Sequence, residues 1–117
     1  MSSLLAIVSS GKGSWTHIQQ LINNEKWQHI YLITNDFGKE NFKTPSNATL
    51  IVLDLKQPIP QLRDELVKQL KGKLDGDVGV NMVSGSGEEH MALLSALLKL
   101  GVGIRLVISG TNNSVEI

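Results

Sequence analysis

Five short, predominantly apolar runs constrain this chain more than any other feature. They are residues 4–8, 30–33, 50–53, 78–83 and 104–108. A strand with one wet face alternates apolar and polar residues, whereas a run without that alternation reads as a strand covered on both faces. Helical patterns lie between the runs. The first spans residues 14–24, with Ile18, Leu21 and Ile22 on one stripe; the second spans 59–70, with Leu62, Leu66, Val67 and Leu70 at helical spacing. The third starts near Gly87 and meets a glycine stop at Gly101. Apolar residues at 91, 93, 94, 97, 98 and 100 nearly surround it, which predicts the most buried helix. The connection 36–47 is too short for a long helix, so a single turn near residues 38–42 is expected to make that crossover.

Strand and helix in alternation predict an α/β domain. The expected architecture is three-layer and Rossmann-like, with a mostly parallel sheet of five strands in the order 3-2-1-4-5 and right-handed crossovers. After turn residues at 110–113, the alternating Ser114-Val115-Glu116-Ile117 predicts a short antiparallel edge strand. The 117 residues make a single domain, 1–117, and 41% hydrophobic content suffices for a core.

Charge and composition remove several function classes. Eleven Lys plus Arg meet eleven Asp plus Glu. A broad nucleic-acid surface, which needs a surplus of cations, is therefore not expected. The absence of cysteine excludes disulfides, thiolate metal sites and Cys nucleophiles. Two Trp, one Tyr and two Phe are too few for a stacking platform on single strands. The N-terminal apolar run lacks a basic flank and reads as a strand, not as a leader. No run is long enough to span a membrane, so the expected location is cytoplasmic.

In open α/β sheets, ligands bind beyond the carboxyl ends of the strands, where strand order reverses. The expected order places that point between strands one and four. Both following loops are rich in glycine and serine: Ser9-Ser10-Gly11-Lys12-Gly13-Ser14 and Ser84-Gly85-Ser86-Gly87. In the first, the glycines permit close backbone approach, Lys12 reaches toward an anion, and Ser14 is placed to cap the next helix. The P-loop pattern is absent, and Thr16 stands where G-x-G-x-x-G needs its third glycine. In the second, Ser86 and Glu89 form a capping box, and Glu88 and Glu89 suit the helix dipole. Those carboxylates oppose a phosphate there, while the serines offer hydroxyls and amides to a ribose or base. A third loop, Thr34-Asn35-Asp36, flanks the same mouth; its Asn and Asp read either as turn formers or as partners of ribose hydroxyls.

The expected ligand-binding set is Ser9, Ser10, Gly11, Lys12, Gly13, Ser14, Thr34, Asn35, Ser84, Gly85, Ser86 and Gly87. Tight turns and a helix cap are the plainer reading of the same residues. His17 and His90 each open a helix beside this mouth. With Lys12 they suggest metal-free acid–base cleavage of a phosphodiester, against the plainer reading of two packed helix residues. His29 reads as an ordinary surface residue. No metal-ligand spacing is present, and neither a metal nor a cofactor is assigned. Trp15 either stacks on a base or packs in the core, and Trp27 closes the end of helix one.

The stretch Asn81-Met82-Val83-Ser84-Gly85-Ser86-Gly87, leading into Glu88-Glu89-His90-Met91-Ala92, resembles the signature after the fourth strand of CRISPR-associated Rossmann fold (CARF) domains. Asn81, Ser84, Gly85 and Met91 carry the resemblance. Gly87 and Glu88 stand where that signature has small polar and basic residues. The resemblance implies binding of a cyclic oligoadenylate across a two-fold dimer in antiviral defence, with Ser84, Gly85, Ser86 and the 9–13 loop as the matching positions. It also implies ring-nuclease activity as an alternative. Three functions thus stand: a sensor of a small nucleotide ligand, a metal-independent phosphodiesterase, and a non-catalytic interaction or scaffold domain. A homodimer is expected on general frequency.

Overall fold

Strand β1 (Ser3–Val8) is the hinge of the architecture, because it is paired on both sides and buried on both faces. The structure, a computed structural model, describes residues 2–9 and 13–117 together with the backbone of Lys12. After β1 come a 3-10 turn (Lys12–Ser14), α1 (Trp15–Asn24), β2 (Ile30–Thr34), α2 (Asp36–Asn41) and β3 (Ala48–Val52). Then follow α3 (Ile59–Leu70), β4 (Asp77–Asn81), α4 (Gly87–Leu100), β5 (Gly103–Ser109) and β6 (Ser114–Glu116). The sheet order is β3-β2-β1-β4-β5-β6. The first five strands are parallel, and β6 pairs antiparallel with β5. This is the Rossmann-like arrangement the apolar runs predict, with the edge strand as the sixth member.

The unbroken run in β1 has a simple cause. Leu4, Ala6 and Val8 pack under α1 with Trp15, Ile18 and Leu21. Leu5 and Ile7 point the other way, into a second core with Leu62 and Leu66 of α3 and Leu93 and Leu97 of α4. Period-two geometry sends neighbouring side chains to opposite faces, so two covered faces leave no position for a polar residue. Trp27 closes the end of α1 by donating its indole N–H to the Leu21 carbonyl at 3.0 Å. Gly79 makes room for it, since a Cβ there would lie 3.2 Å from the Trp27 ring.

Three details depart from the sequence expectation. The short crossover is a six-residue helix, α2, capped by Asn35, whose side chain accepts the Gly38 N–H at 2.9 Å. Strand β4 ends at Asn81 and not at residue 83, because the Asn81 side chain accepts the Val83 N–H at 3.1 Å and turns the chain. Helix α4 is not buried all round. Ala92, Leu93, Ala96 and Leu97 face the sheet, but Met91 is 62% and Leu98 72% exposed. Helix α4 ends as expected on Gly101, in the left-handed region at φ 72°. Among the described residues, no helix is long and apolar enough to cross a membrane.

Gly38 shows how closely α2 approaches the sheet. A Cβ at this helical position would sit 1.8 Å from Thr34 Oγ1 and 2.7 Å from the Val8 carbonyl oxygen. Gly38→Ala is therefore expected to lower the unfolding free energy by about 2 kcal/mol or more, through overpacking. Gly87→Ala, where nothing lies within 4 Å, is expected to be neutral or slightly stabilising. Urea denaturation of the two variants checks both.

Candidate functional site

The strand order reverses between β1 and β4, and the loops that follow these strands are stitched together. The Ser9 N–H donates to Ser84 Oγ at 3.3 Å. The Ser9 hydroxyl donates to the Glu89 carboxylate at 2.8 Å. The Trp15 indole donates to the Ser9 carbonyl at 3.2 Å, and His90 Nε2 donates to the Ser84 carbonyl at 3.0 Å. Ser9, Ser84 and Glu89 are all buried. The predicted capping box is therefore only half formed. Ser86 accepts the Glu89 N–H at 3.2 Å, but the Glu89 carboxylate crosses to Ser9 instead of returning to the Ser86 amide. The spacing S-x-x-E gives no sign of this, because a buried hydroxyl from another strand is a tertiary fact.

Gly85 sits between these groups at φ 103°, where a side chain is strained. A Cβ there would also meet Glu89 Oε1 at 2.8 Å and Ile7 Cγ2 at 3.0 Å. Asn81 is equally committed. Its Nδ2 donates to the Val107 carbonyl at 2.9 Å and toward His17 Nε2 at 3.3 Å. His17 Nε2 also accepts the Ser109 N–H at 3.3 Å, so it is the unprotonated ring nitrogen. Thr34 is buried and donates its hydroxyl to the Val8 carbonyl.

The expected site residues thus separate into groups. Ser9, Thr34, Asn81 and Ser84 face inward and hold the loops in place. Gly13, Ser86 and Gly87 are exposed, and Asn35 is half-buried. Ser14 precedes α1 with a helical backbone and makes no side-chain capping bond, contrary to the role expected of it, because the 3-10 turn runs directly into the helix. Ser10, Gly11 and the Lys12 side chain lie outside the described residues. His17 stands on the α1 side of the sheet and His90 on the α4 side, each with its Nε2 engaged by the chain itself. Trp15 is buried among Phe37 and Phe42, the core-packing alternative.

Open space lies beside this seam, on the β2 and β3 side. A cleft of about 430 Å³ is lined by Asn35, Asp36, Phe37, Val52, Asp54 and Lys56, among others. A second, of about 410 Å³, runs from residues 55–57 to Ser86, Glu88 and Glu89. The loop after β3 is thus part of the mouth, and sequence reasoning missed it. Its signal is an Asx turn directly after an apolar run: Asp54 Oδ1 accepts the Lys56 N–H at 3.0 Å. Phe37 is 47% exposed and offers an apolar wall. Asp36, Asp54, Glu88 and Glu89 make the rim acidic, with Lys56 between them. Among the described residues, no group of three metal-ligating side chains is present.

A third cleft, of about 300 Å³, opens at the opposite edge, where Tyr31 meets His29, Lys73, Asp75 and Asp77. His29 is no ordinary surface residue there, since it bonds Thr49 Oγ1 at 2.8 Å and packs on the Tyr31 ring. Burial, and then the Asp75 charge, raise the Tyr31 pKa above 10.

No protein-family model matches the chain, and no curated protein matches it. Among solved structures, it is similar to the crystal structure of the oxidoreductase ylbE from Lactococcus lactis. The TM-score is 0.52 and the identity 21%, over 87% of this chain and 46% of that one. The chain thus spans less than half the length of that structure. At this identity the likeness shows a shared Rossmann-like fold.

Two expectations follow. A double-mutant cycle of Ser9→Ala and Glu89→Ala, measured by denaturation, should return a coupling of about 1.5–3 kcal/mol, as for a hydrogen bond to a charged group. Stability should also fall as pH rises from 10 through the raised Tyr31 value, because only the unfolded chain loses that proton easily. Tyr31→Phe should remove this alkaline loss in a pH series of thermal melts.

Proposed function

We propose that this chain binds a nucleotide-type ligand across the carboxyl edge of its sheet. The supporting observation is the reversal of strand order between β1 and β4, with the two following loops held side by side by Ser9 and Ser84. That is where open α/β sheets take their ligands. The chemistry of the mouth then orients the ligand. The Glu89 carboxylate occupies the amide end of α4, and Glu88 lies beside it, so phosphates are repelled from that helix. In this reading the phosphates point away from α4, toward the side of the first loop, whose sequence carries Lys12. Asn35 and Asp36 stand at the end of β2, the place from which a carboxylate reaches ribose hydroxyls in dinucleotide-binding folds. Phe37 and Val52 offer apolar surface to a base.

Dinucleotides, mononucleotides and cyclic oligoadenylates all fit this outline. The dinucleotides enter through the fold shared with an oxidoreductase, and the cyclic oligoadenylates through the CARF-like 81–92 stretch. Calorimetry against NAD, NADP, ATP, AMP and cyclic tetraadenylate tests the proposal. At least one should bind, and Asp36→Ala should weaken it about tenfold, the loss of one charge-assisted hydrogen bond. No heat with any of them would overturn the reading.

A further inference from the structure

The ladder between β4 and β5 stops short of the end of β5. Paired residues run from Asp77 and Gly103 to Val80 and Leu106, while β5 continues to Ser109. Backbone groups on that inner edge still need partners. Side chains supply them. Asn81 Nδ2 donates to the Val107 carbonyl at 2.9 Å, and His17 Nε2 accepts the Ser109 N–H at 3.3 Å. Asn81 Nδ2 also donates toward His17 Nε2 at 3.3 Å, so one imidazole from α1 joins the ends of two strands. Asn81 Oδ1 accepts the Val83 N–H, which carries the junction into the loop after β4. On the outer side, Asn24 Nδ2 donates to Ser109 Oγ and to the Asn113 carbonyl, each at 3.1 Å, and ties the turn before β6 to the same helix.

We propose that His17 is a proton-sensitive latch, which holds the end of β5 and the turn after β4 to α1 only while its ring is neutral. A neutral imidazole offers one lone pair, and here Asn81 and Ser109 both aim donors at it. The imidazolium carries a proton on each nitrogen and accepts nothing. Protonation therefore sets an N–H against two others and strips the Ser109 N–H of its acceptor, a loss larger than the net worth of the bond. No carboxylate offsets the new charge. Among the described residues, His17 makes no ion pair. No other residue of α1 ionises, and neither does the turn 110–113. The ionisable side chains of β4 and β5 are Asp77 and Arg105. Each stands four residues from the junction, roughly 13 Å along its strand, and they lie 3.5 Å from each other. Glu116 of β6 pairs with Arg105 as well. Glu88, Glu89 and His90 belong to α4, on the opposite side of the sheet. Lys12 precedes α1, and its side chain lies outside the described residues. The latch is thus closed at neutral and higher pH, and it opens as pH falls and His17 gains its proton.

Nuclear magnetic resonance of the isotope-labelled chain tests this between about pH 8 and about pH 5, the range in which imidazoles charge. The Ser109 and Val83 amide shifts should move in step with the His17 ring signals, and not with those of His29 or His90. Protection of the Ser109 amide from hydrogen exchange, corrected for the intrinsic pH dependence, should fall about tenfold once His17 is charged. His17→Gln has no proton to gain, so both amides should lose their pH dependence while His29 and His90 titrate as before. If that variant does not fold, the comparison of the three histidines in the wild-type chain decides by itself. Amides that ignore pH, that follow His29 or His90, or whose pH dependence survives His17→Gln would overturn the proposal.

Discussion

The Ser9 hydroxyl held 2.8 Å from the buried Glu89 carboxylate is the contact on which the rest of the site depends. A buried carboxylate is costly unless hydrogen bonds and favourable charge replace its water. Here two sources do so: Ser9 donates to it, and the first turn of α4 presents the positive end of a helix dipole. Ser86 fixes the start of that helix by accepting the Glu89 N–H. Helix α4 is thereby tied to the end of β1. Its position sets Gly85, whose missing Cβ leaves room for the Glu89 carboxylate.

This arrangement decides the character of the mouth. Ser9 and Ser84, expected as ligand donors, face inward and hold two loops together. What they leave open is an acidic rim beside exposed apolar surface, extending over the ends of β2 and β3. Such a rim takes hydroxyl-rich groups more readily than phosphates. On the proposed reading, a nucleotide meets this rim with its sugar on the Asp36 side and its phosphates away from Glu88 and Glu89. The zero net charge of the chain therefore hides a locally acidic rim.

Much of the fold was legible in the sequence. Strands buried on both faces announce themselves as unbroken apolar runs, and β1 shows why, since its neighbouring residues feed two different cores. Gly101 ended α4 where a glycine stop was expected. The exposure of Met91 and Leu98 was not legible, because apolar residues all round α4 do not show which face the sheet takes, and Ala92, Leu93, Ala96 and Leu97 take it. The alternation of Ser114 to Ile117 predicted the edge strand, but not that Val115 and Ile117 would both be exposed. At the site, residue types were readable and partners were not. Ser9 and Ser84 were singled out as ligand donors and Glu89 as a helix cap, yet only the fold brings Ser9 to Glu89 across 80 residues. The Asp54 turn escaped notice because no motif distinguishes it from any other strand end.

The central claim is that ligand binds along the β1–β2–β3 side of the carboxyl edge and not at the cleft beside Tyr31. Amide chemical-shift mapping during titration with NAD, ATP or cyclic tetraadenylate tests it most directly. The account predicts shifts concentrated at residues 10–14, 35–37 and 54–57, with residues 28–31 and 73–77 unmoved. Shifts confined to those latter residues, or none at all with any ligand, would contradict it.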